Sequence, residues 1–289
     1  MPPPEKIFVY EIEGKVHPPE ALCGDDFLGA WREGDYSYLF FSNPKESPVR
    51  AWLRSSPAGR YSSETILNYA DWEAGQPFKP LSQAGLHFSP IWEEPAPPPG
   101  ETLIRMEPGL AFGSGYHPTS RLCLELMRRV FEKDKPQEVL DLGTGTGILA
   151  LASIALGARR VIAVEYNELA VRTAARNVRH NHREKDILLI QGDARHFHNR
   201  REKEILLIQG DARHFAHLPG ELALANIHLD VLLDLLKIPA FLTRKWYIFS
   251  GVLGTQMDRF RQGLAAAPLQ EIATLDENLW FAVLAVNET

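Results

Sequence analysis

The chain has 289 residues, of which 45% are hydrophobic and 24% are charged, and its formal net charge is −6. These proportions are ordinary for a soluble globular protein, and the length allows one large domain or a core domain with a smaller one. The negative net charge argues against direct nucleic-acid binding, because neutralising phosphates requires a basic surface.

The sequence gives no sign of a membrane span, an export signal or a metal site. The longest nearly uninterrupted apolar run, ILALASIALGA at 148–158, is too short to cross a bilayer. The first residues lack the basic start and apolar core of a signal peptide. Cys23 and Cys123 show no metal-ligand spacing. We therefore expect a reduced, cytoplasmic protein without a bound metal.

Residues 1–75 are predicted to form a small α+β domain. The expected elements are a strand at 6–14, a hairpin from FLGAW at 27–31 to YSYLFF at 36–41, a short helix at 49–56 and a strand at 65–72. Residues 76–108, which include EEPAPPPGE, are predicted to be an extended proline-rich linker.

From residue 109 to 289 strands alternate with helices. EVLDLG at 138–143 and RVIAVE at 160–165 are typical of buried parallel strands, and the helix at 167–181 has Asn167 as its expected N-cap. Further along come a strand at 222–227, a helix at 229–238, a strand at 246–253 and two final strands joined at DEN. Alternating βαβ units predict a parallel sheet covered by helices on both faces.

A glycine-rich loop, VLDLGTGTG at 139–147, follows a predicted strand and opens a helix. Its glycines allow a sharp turn and a close approach of the backbone to a ligand. The dinucleotide fingerprint would need a glycine where Ile148 stands, and the Gly-Lys-Ser/Thr of a phosphate-binding P-loop is missing. The loop therefore indicates a different nucleotide-like ligand.

Two acidic residues at strand ends indicate which ligand the loop binds. Asp141 would repel a pyrophosphate but suits the ammonium and sulfonium of S-adenosylmethionine. Glu165, at the end of the next strand, can accept both hydroxyls of a ribose. We predict an S-adenosylmethionine site that includes Asp141, Gly143, Gly145 and Glu165; the alternative is a tight structural turn beside a surface glutamate.

Several longer motifs resemble one methyltransferase family. They are EPGLAFGSGYHPTSRLCLELM at 107–127, DLGTGTGILA at 141–150, ALANIHLD at 223–230 and the connector at 69–95. Together they resemble the ribosomal protein L-eleven lysine methyltransferases, the PrmA-like family, over roughly residues 65–289. The resemblance implies an α/β class I methyltransferase (Rossmann-like) fold, with a mostly parallel seven-stranded sheet and a small, reduced ferredoxin-like N-terminal domain that recognises the substrate.

The resemblance also assigns roles to residues of the first motif. In the family, the segment corresponding to 112–120 folds over the methionine end of the cofactor, so Thr119 and Ser120 are expected to contact it. Either hydroxyl could also cap the following helix. For His117 two readings stay open, a turn held by hydrogen bonding and a direct catalytic role.

Asn226 ends a predicted strand beside the expected reaction centre. In related amine and amide methyltransferases an asparagine there accepts hydrogen bonds from the target nitrogen, so Asn226 is the predicted catalytic residue and also a cofactor contact. The Asn-Pro-Pro-Tyr form of amide- and adenine-methylating enzymes is missing, because Ile227 and His228 follow. The structural alternative is an asparagine that only ends a strand.

The resemblance predicts an S-adenosylmethionine-dependent N-methyltransferase that modifies lysine or α-amino groups of ribosomal protein L-eleven. Two alternatives stay open. One is a methyltransferase for another protein lysine or a small-molecule acceptor, and the other is a non-catalytic cofactor-binding module.

One segment of the sequence occurs twice in tandem. REKDILLIQGDARHF at 183–197 and REKEILLIQGDARHF at 201–215 differ only in Asp186 against Glu204. Each copy resembles the third strand and the turn whose acidic residue meets the adenine amino group, which makes Asp193 and Asp211 the two candidates. Doubling a helix-to-strand loop costs only about 0.6 kcal/mol in closure entropy, so we predict that the second copy, with Asp211, forms the strand and its turn.

Overall fold

The computed structural model describes residues 4–56, 59–69, 79–107, 109–110, 113–190 and 211–287. The strands are β1 Lys6–Glu13, β2 Phe27–Glu33, β3 Tyr36–Phe41, β4 Arg60–Asn68, β5 Leu81–Gln83, β6 Leu86–Pro90, β7 Thr102–Met106, β8 Glu138–Leu142, β9 Arg160–Val164, β10 Ile187–Ile190, β11 Leu222–Asn226, β12 Trp246–Leu253, β13 Gln270–Glu277 and β14 Trp280–Val286. The helices are α1 Glu46–Ser55, α2 Pro118–Lys133, α3 Ile148–Leu156, α4 Glu168–His180, α5 Ala212–Phe215, α6 Leu229–Leu235 and α7 Met257–Ala265. None of these helices has the length and apolar character needed to traverse a membrane.

The largest sheet has seven strands in the order β10-β9-β8-β11-β12-β14-β13. All pairs are parallel except those of β14, which runs antiparallel to both β12 and β13. One face packs against α2, α3 and α4, and the other packs against α5, α6 and α7. The prediction of a mostly parallel seven-stranded sheet is confirmed. Its geometry brings the carboxyl ends of β8, β9 and β11 to one edge, where ligands bind in open α/β sheets.

Helix starts near this edge depend on specific caps. Asn167 caps α4 as predicted, because its Oδ1 accepts the Leu169 N–H at 2.8 Å. The prediction that Thr119 or Ser120 caps α2 is wrong. That helix begins at Pro118, and the cap is His117, whose Nδ1 accepts the Thr119 N–H. The reason is the proline, which is favoured at the first helical position and holds the residue before it in an extended conformation.

The N-terminal sheet is antiparallel, with strand order β2-β3-β1-β4 and with α1 on one face. This is the strand order of a βαββαβ ferredoxin-like unit. Between β1 and β2 only a three-residue 3-10 helix, Glu20–Leu22, stands where a first helix would be. The strand predicted at 65–72 begins earlier, at Arg60, and residues 70–72 lie outside the described ranges.

The predicted extended linker at 76–108 is wrong for its described part. Residues 81–106 contain β5, β6 and β7, which form a three-stranded sheet. Leu86, Phe88, Ile104 and Met106 from this sheet are buried in the large core beneath the seven-stranded sheet. The proline cluster at 95–99 occupies the connection between β6 and β7, where no backbone N–H is needed for a ladder, and Pro90 is the last residue of β6.

The N-terminal sheet rests on the first turn of α4. A Cβ on Gly29 of β2 would stand 2.0 Å from Leu169 Cδ2, so only glycine allows this approach. Beside it, Arg32 forms an ion pair with Glu168 at 3.2 Å. Because α4 begins directly after β9, the two sheets meet at the same edge that gathers the predicted site residues.

Each copy of the doubled segment contributes one described part of the fold. Ile187–Ile190 of the first copy forms β10 and pairs in parallel with β9, so the prediction that the second copy forms the strand is wrong. The reason is the short connection from α4 back to the sheet. The helix ends at His180, and Asp186, only six residues later, already accepts the Val161 N–H of β9 at 2.9 Å. The second copy supplies Asp211, which caps α5. Asp193 lies outside the described residues.

Deleting residues 191–208 should leave a cooperatively folding protein. The deletion joins Ile190 to Gln209 and restores one uninterrupted copy, with both its upstream and downstream flanks unchanged. Thermal unfolding followed by circular dichroism should show a single transition at a temperature no lower than that of the parent chain. Deleting residues 183–200 gives the same sequence except for glutamate in place of Asp186, and serves as the matched variant. A non-cooperative transition in both variants would show that the extra residues are part of the core.

Candidate active site

A cavity of about 790 Å³ opens at the carboxyl edge of the seven-stranded sheet. Its volume is that of an ordinary small-molecule site. Six of the residues predicted from sequence are on its wall: Thr119, Gly143, Gly145, Glu165, Asp211 and Asn226. They come from the start of α2, the loop after β8, the ends of β9 and β11, and the cap of α5, so the fold brings together residues that are more than a hundred positions apart.

Glu165 joins the glycine loop to the start of α4. Its Oε2 accepts the Gly145 N–H at 3.0 Å, and its Oε1 accepts the Asn167 N–H at 2.8 Å. Burial raises the pKa of this carboxyl, and the backbone donors act in the opposite direction. The side chain is thereby fixed on the cavity wall with its remaining acceptor positions available to a ligand.

The glycine loop packs tightly against the acceptor side of the cavity. Gly143 has φ 78°, and a Cβ there would stand 2.1 Å from Ile227 Cγ2. Any other residue would push away the segment that follows Asn226. The loop glycine and the end of β11 therefore fix one another's position.

Two further predicted residues, Ser120 and Asp141, lie behind the wall. Both are fully buried, and Ser120 Oγ and Asp141 Oδ1 have no hydrogen-bond partner among the described residues. Thr144 Oγ1 donates to the other Asp141 oxygen at 2.5 Å. Burial raises the pKa of Asp141 to about 7, with Glu165 adding to the effect. A buried, unpartnered carboxylate oxygen is stabilised by a nearby cation, which is the charge an aminoacyl-like ligand would bring.

A chain of hydrogen bonds links Asn226 to His117. Asn226 Nδ2 donates to Thr119 Oγ1 at 3.2 Å, and Thr119 Oγ1 lies 2.8 Å from His117 Nδ1. His117 Nδ1 also accepts the Thr119 N–H, so it acts as an acceptor and the ring proton belongs on Nε2. With its amide nitrogen used in this chain, Asn226 has Oδ1 as the atom that can accept from an amine.

His117 is held between an aromatic ring and an ion pair. Its ring lies 5.0 Å from that of Trp280 at an interplanar angle of 67°. Burial lowers the pKa of His117, Arg121 lowers it further, and Glu277 partly opposes the shift. Arg121 and Glu277 form an ion pair that ties α2 to β13. These contacts support the structural reading of His117, a neutral residue that caps α2 and orients Thr119.

Asp211 is engaged by a neighbouring cation. Arg213 Nε lies 2.9 and 3.0 Å from the two Asp211 oxygens, and Arg213 also pairs with Asp234 of α6 at 2.9 Å. The Arg213 guanidinium lowers the pKa of Asp211. Arg213 therefore keeps this carboxylate ionised and connects the α5 turn to α6.

Several residues of the cavity wall were missed from sequence: Tyr166, Arg213, His228, Val231, Gly251 and Trp280. Tyr166 directly follows Glu165 and was detectable from that position alone. Trp280 belongs to the β13–β14 hairpin, and only the antiparallel pairing of β14 with β12 brings it to the site. A sequence pattern does not give that pairing.

Comparison with known proteins gives a consistent result. The family model for "Ribosomal protein L11 methyltransferase (PrmA)" matches residues 58–288. A ribosomal protein L11 methyltransferase of Exiguobacterium sibiricum is 33% identical over 229 residues, covering 78% of this chain and 66% of its own length. One of Geobacter sulfurreducens is 33% identical over 235 residues, with 78% and 69% covered. The chain thus spans about two thirds of these relatives.

A solved structure is also similar. The crystal structure of a ribosomal protein L11 methylase from Lactobacillus delbrueckii subsp. bulgaricus superimposes with a TM-score of 0.59 at 27% sequence identity. The match covers 73% of this chain and 100% of that one.

His117 should titrate below its ordinary pKa of 6.5, and Arg121→Gln should raise that pKa. The substitution removes a positive neighbour and leaves Glu277 unpaired, and both changes favour the imidazolium. NMR titration of ring-labelled histidines would measure the shift. Arg129→Gln, on the same helix but paired with Glu125, is the matched control and should have no effect. A pKa of 6.5 or higher in the parent chain would contradict the burial described above.

Proposed function

Because the chain belongs to the ribosomal protein L11 methyltransferase (PrmA) family, we propose that it transfers methyl groups from S-adenosylmethionine to lysine or α-amino groups of ribosomal protein L11. The observation that carries this proposal is the composition of the cavity. The cavity is lined by a glycine loop and a strand-end carboxylate suited to an adenosyl ligand, and also by Asn226, whose amide suits an amine.

The residues present fit the cofactor. Glu165 would accept the ribose hydroxyls, and Tyr166, which is 64% exposed and lines the cavity, offers a ring for adenine to stack on. Asp211 would accept from the adenine amino group while Arg213 keeps it ionised. From behind the wall, buried Asp141 would favour a positive charge in the cavity, which the cofactor's ammonium would bring. When bound, the cofactor supplies a methyl group already activated by a sulfonium.

The chain's own task is then to present a neutral amine in line with that methyl group. A lysine amine has a pKa of about 10.4 in water, so the site must favour its deprotonated form. Ile227, Val231 and Trp280 give the cavity apolar surface that excludes water and disfavours the ammonium. Asn226 Oδ1 would accept a hydrogen bond from the amine and orient its lone pair. Asn226 would hold the amine while its nitrogen bonds the methyl carbon in place of the sulfur, and the proton that the nitrogen then releases would pass to solvent.

The two sheets suggest that the two parts of the chain have different functions. Residues 109–289 would form the S-adenosylmethionine-binding methyltransferase domain, and residues 1–75 the reduced ferredoxin-like domain that recognises the protein substrate. A cytoplasmic location follows from a ribosomal-protein substrate. The alternative of a non-catalytic module was motivated by the doubled segment. The first copy supplies β10 and the second supplies Asp211 on the cavity wall, so the doubled segment does not remove either feature.

Asn226→Ala should separate catalysis from cofactor binding. The alanine removes the amine acceptor but leaves the adenosyl wall intact, so we expect turnover to fall at least tenfold while cofactor affinity changes less than threefold. The measurements are labelled-methyl transfer to purified L11 and calorimetric titration with S-adenosylmethionine. Glu165→Gln is the reciprocal variant and should weaken cofactor binding instead. Undiminished turnover in Asn226→Ala would remove Asn226 from the mechanism.

A further inference from the structure

The face of the N-terminal sheet opposite α1 packs in part against Leu110 and Leu169, and the rest of it borders solvent. Three side chains form a row across it, because Trp31 of β2 pairs with Tyr38 of β3, and Tyr38 pairs with Glu11 of β1. We call Trp31, Tyr38 and Glu11 the cation row. The row borders a cavity of about 290 Å³ whose other lining residues are Val9, Phe40, Thr65 and Leu67. This cavity is separate from the one at the carboxyl edge of the large sheet.

The cation row combines aromatic rings with a carboxylate that has no cationic partner. The rings of Trp31 and Tyr38 are 6.1 Å apart at 47°, and Trp31 is 36% exposed. Glu11 accepts from Ser62 Oγ at 2.7 Å, and no ion pair to it occurs within the described ranges. The neighbouring Glu13, by contrast, is paired with Arg60. Aromatic faces beside a carboxylate attract a side-chain cation, whereas they repel phosphates and carboxylates.

The row's position suggests where its ligand comes from. One step along the sheet, Gly29 pairs with Phe40 and packs against Leu169 in the first turn of α4. Tyr166 and Glu165, just before that turn, line the candidate active site. The segment 165–169 therefore has the active-site cavity on one side and the N-terminal sheet on the other. A protein bound at the row would lie beside the site where its amine has to react.

We propose that the cation row binds a lysine or arginine side chain of the protein methyl acceptor, at a position other than the amine being methylated. This inference rests on the proposed function and deepens it. The row would hold the acceptor protein in position on the N-terminal sheet. It therefore contributes to acceptor binding and not to the methyl-transfer step.

Two substitutions in the full-length chain test the row. Trp31→Ala removes the larger ring, and Glu11→Gln removes the charge while keeping the shape. Each should raise the KM for L11 at least fivefold, with kcat and cofactor affinity unchanged, and should weaken calorimetric binding of L11 by a similar factor. Glu11→Asp, which keeps the charge, should restore part of the affinity.

Matched controls lie on the same sheet. Ile66→Ala and Glu64→Gln change exposed residues of β4 that alternate with the cavity-lining Thr65 and Leu67, and they should leave the KM unaltered. If the parent chain, Trp31→Ala and Glu11→Gln have equal KM values and bind L11 equally well, the proposed role of the cation row is contradicted. Failure of the parent chain to bind L11 would also contradict it. Binding that depends on the row without any methylation would instead contradict the proposed function and leave the row supported.

Discussion

The structure depends on one carboxylate, that of Glu165. By accepting backbone N–H groups from both the glycine loop and the start of α4, it fixes the end of β9 against the end of β8. Burial raises the pKa of this carboxyl, so a ligand that donates hydrogen bonds to it would stabilise its ionised form. The same group that orders the glycine loop is therefore the one that a ribose would donate to, so this residue serves both the fold and ligand recognition.

From that carboxylate the arrangement extends in two directions. Along the cavity wall, Gly143 packs against Ile227, the residue after Asn226, and Asn226 donates to Thr119 beside the histidine cap of α2. Along the chain, the first turn of α4 carries Leu169, on which the N-terminal sheet rests. The segment 165–169 thus borders the active-site cavity on one side and the N-terminal sheet on the other. We infer that the position of the N-terminal sheet and the shape of the cavity are mechanically linked.

Much of this could be predicted from the sequence, because strand-end chemistry is local. A glycine loop after one apolar strand, a glutamate after the next and an asparagine after a third are readable without tertiary information. Three features were not. The cap of α2 was misassigned, because a histidine before proline competes with the hydroxyls after it. Residues 81–106 contain a sheet despite the prolines of this region, since the cluster at 95–99 lies between β6 and β7 and Pro90 comes only at the end of β6. The doubled segment offered two identical strands, and only the short return from α4 selects Ile187–Ile190.

The central claim is that this cavity methylates an amine of ribosomal protein L11. The most direct measurement is mass spectrometry of purified L11 after incubation with this chain and S-adenosylmethionine carrying a labelled methyl group. We predict labelled methyl groups on lysine ε-amino or α-amino nitrogens of L11, formed only when the chain is present. L11 that stays unmodified while the chain binds the cofactor, or label found on another molecule in a ribosomal-protein mixture, would contradict the account.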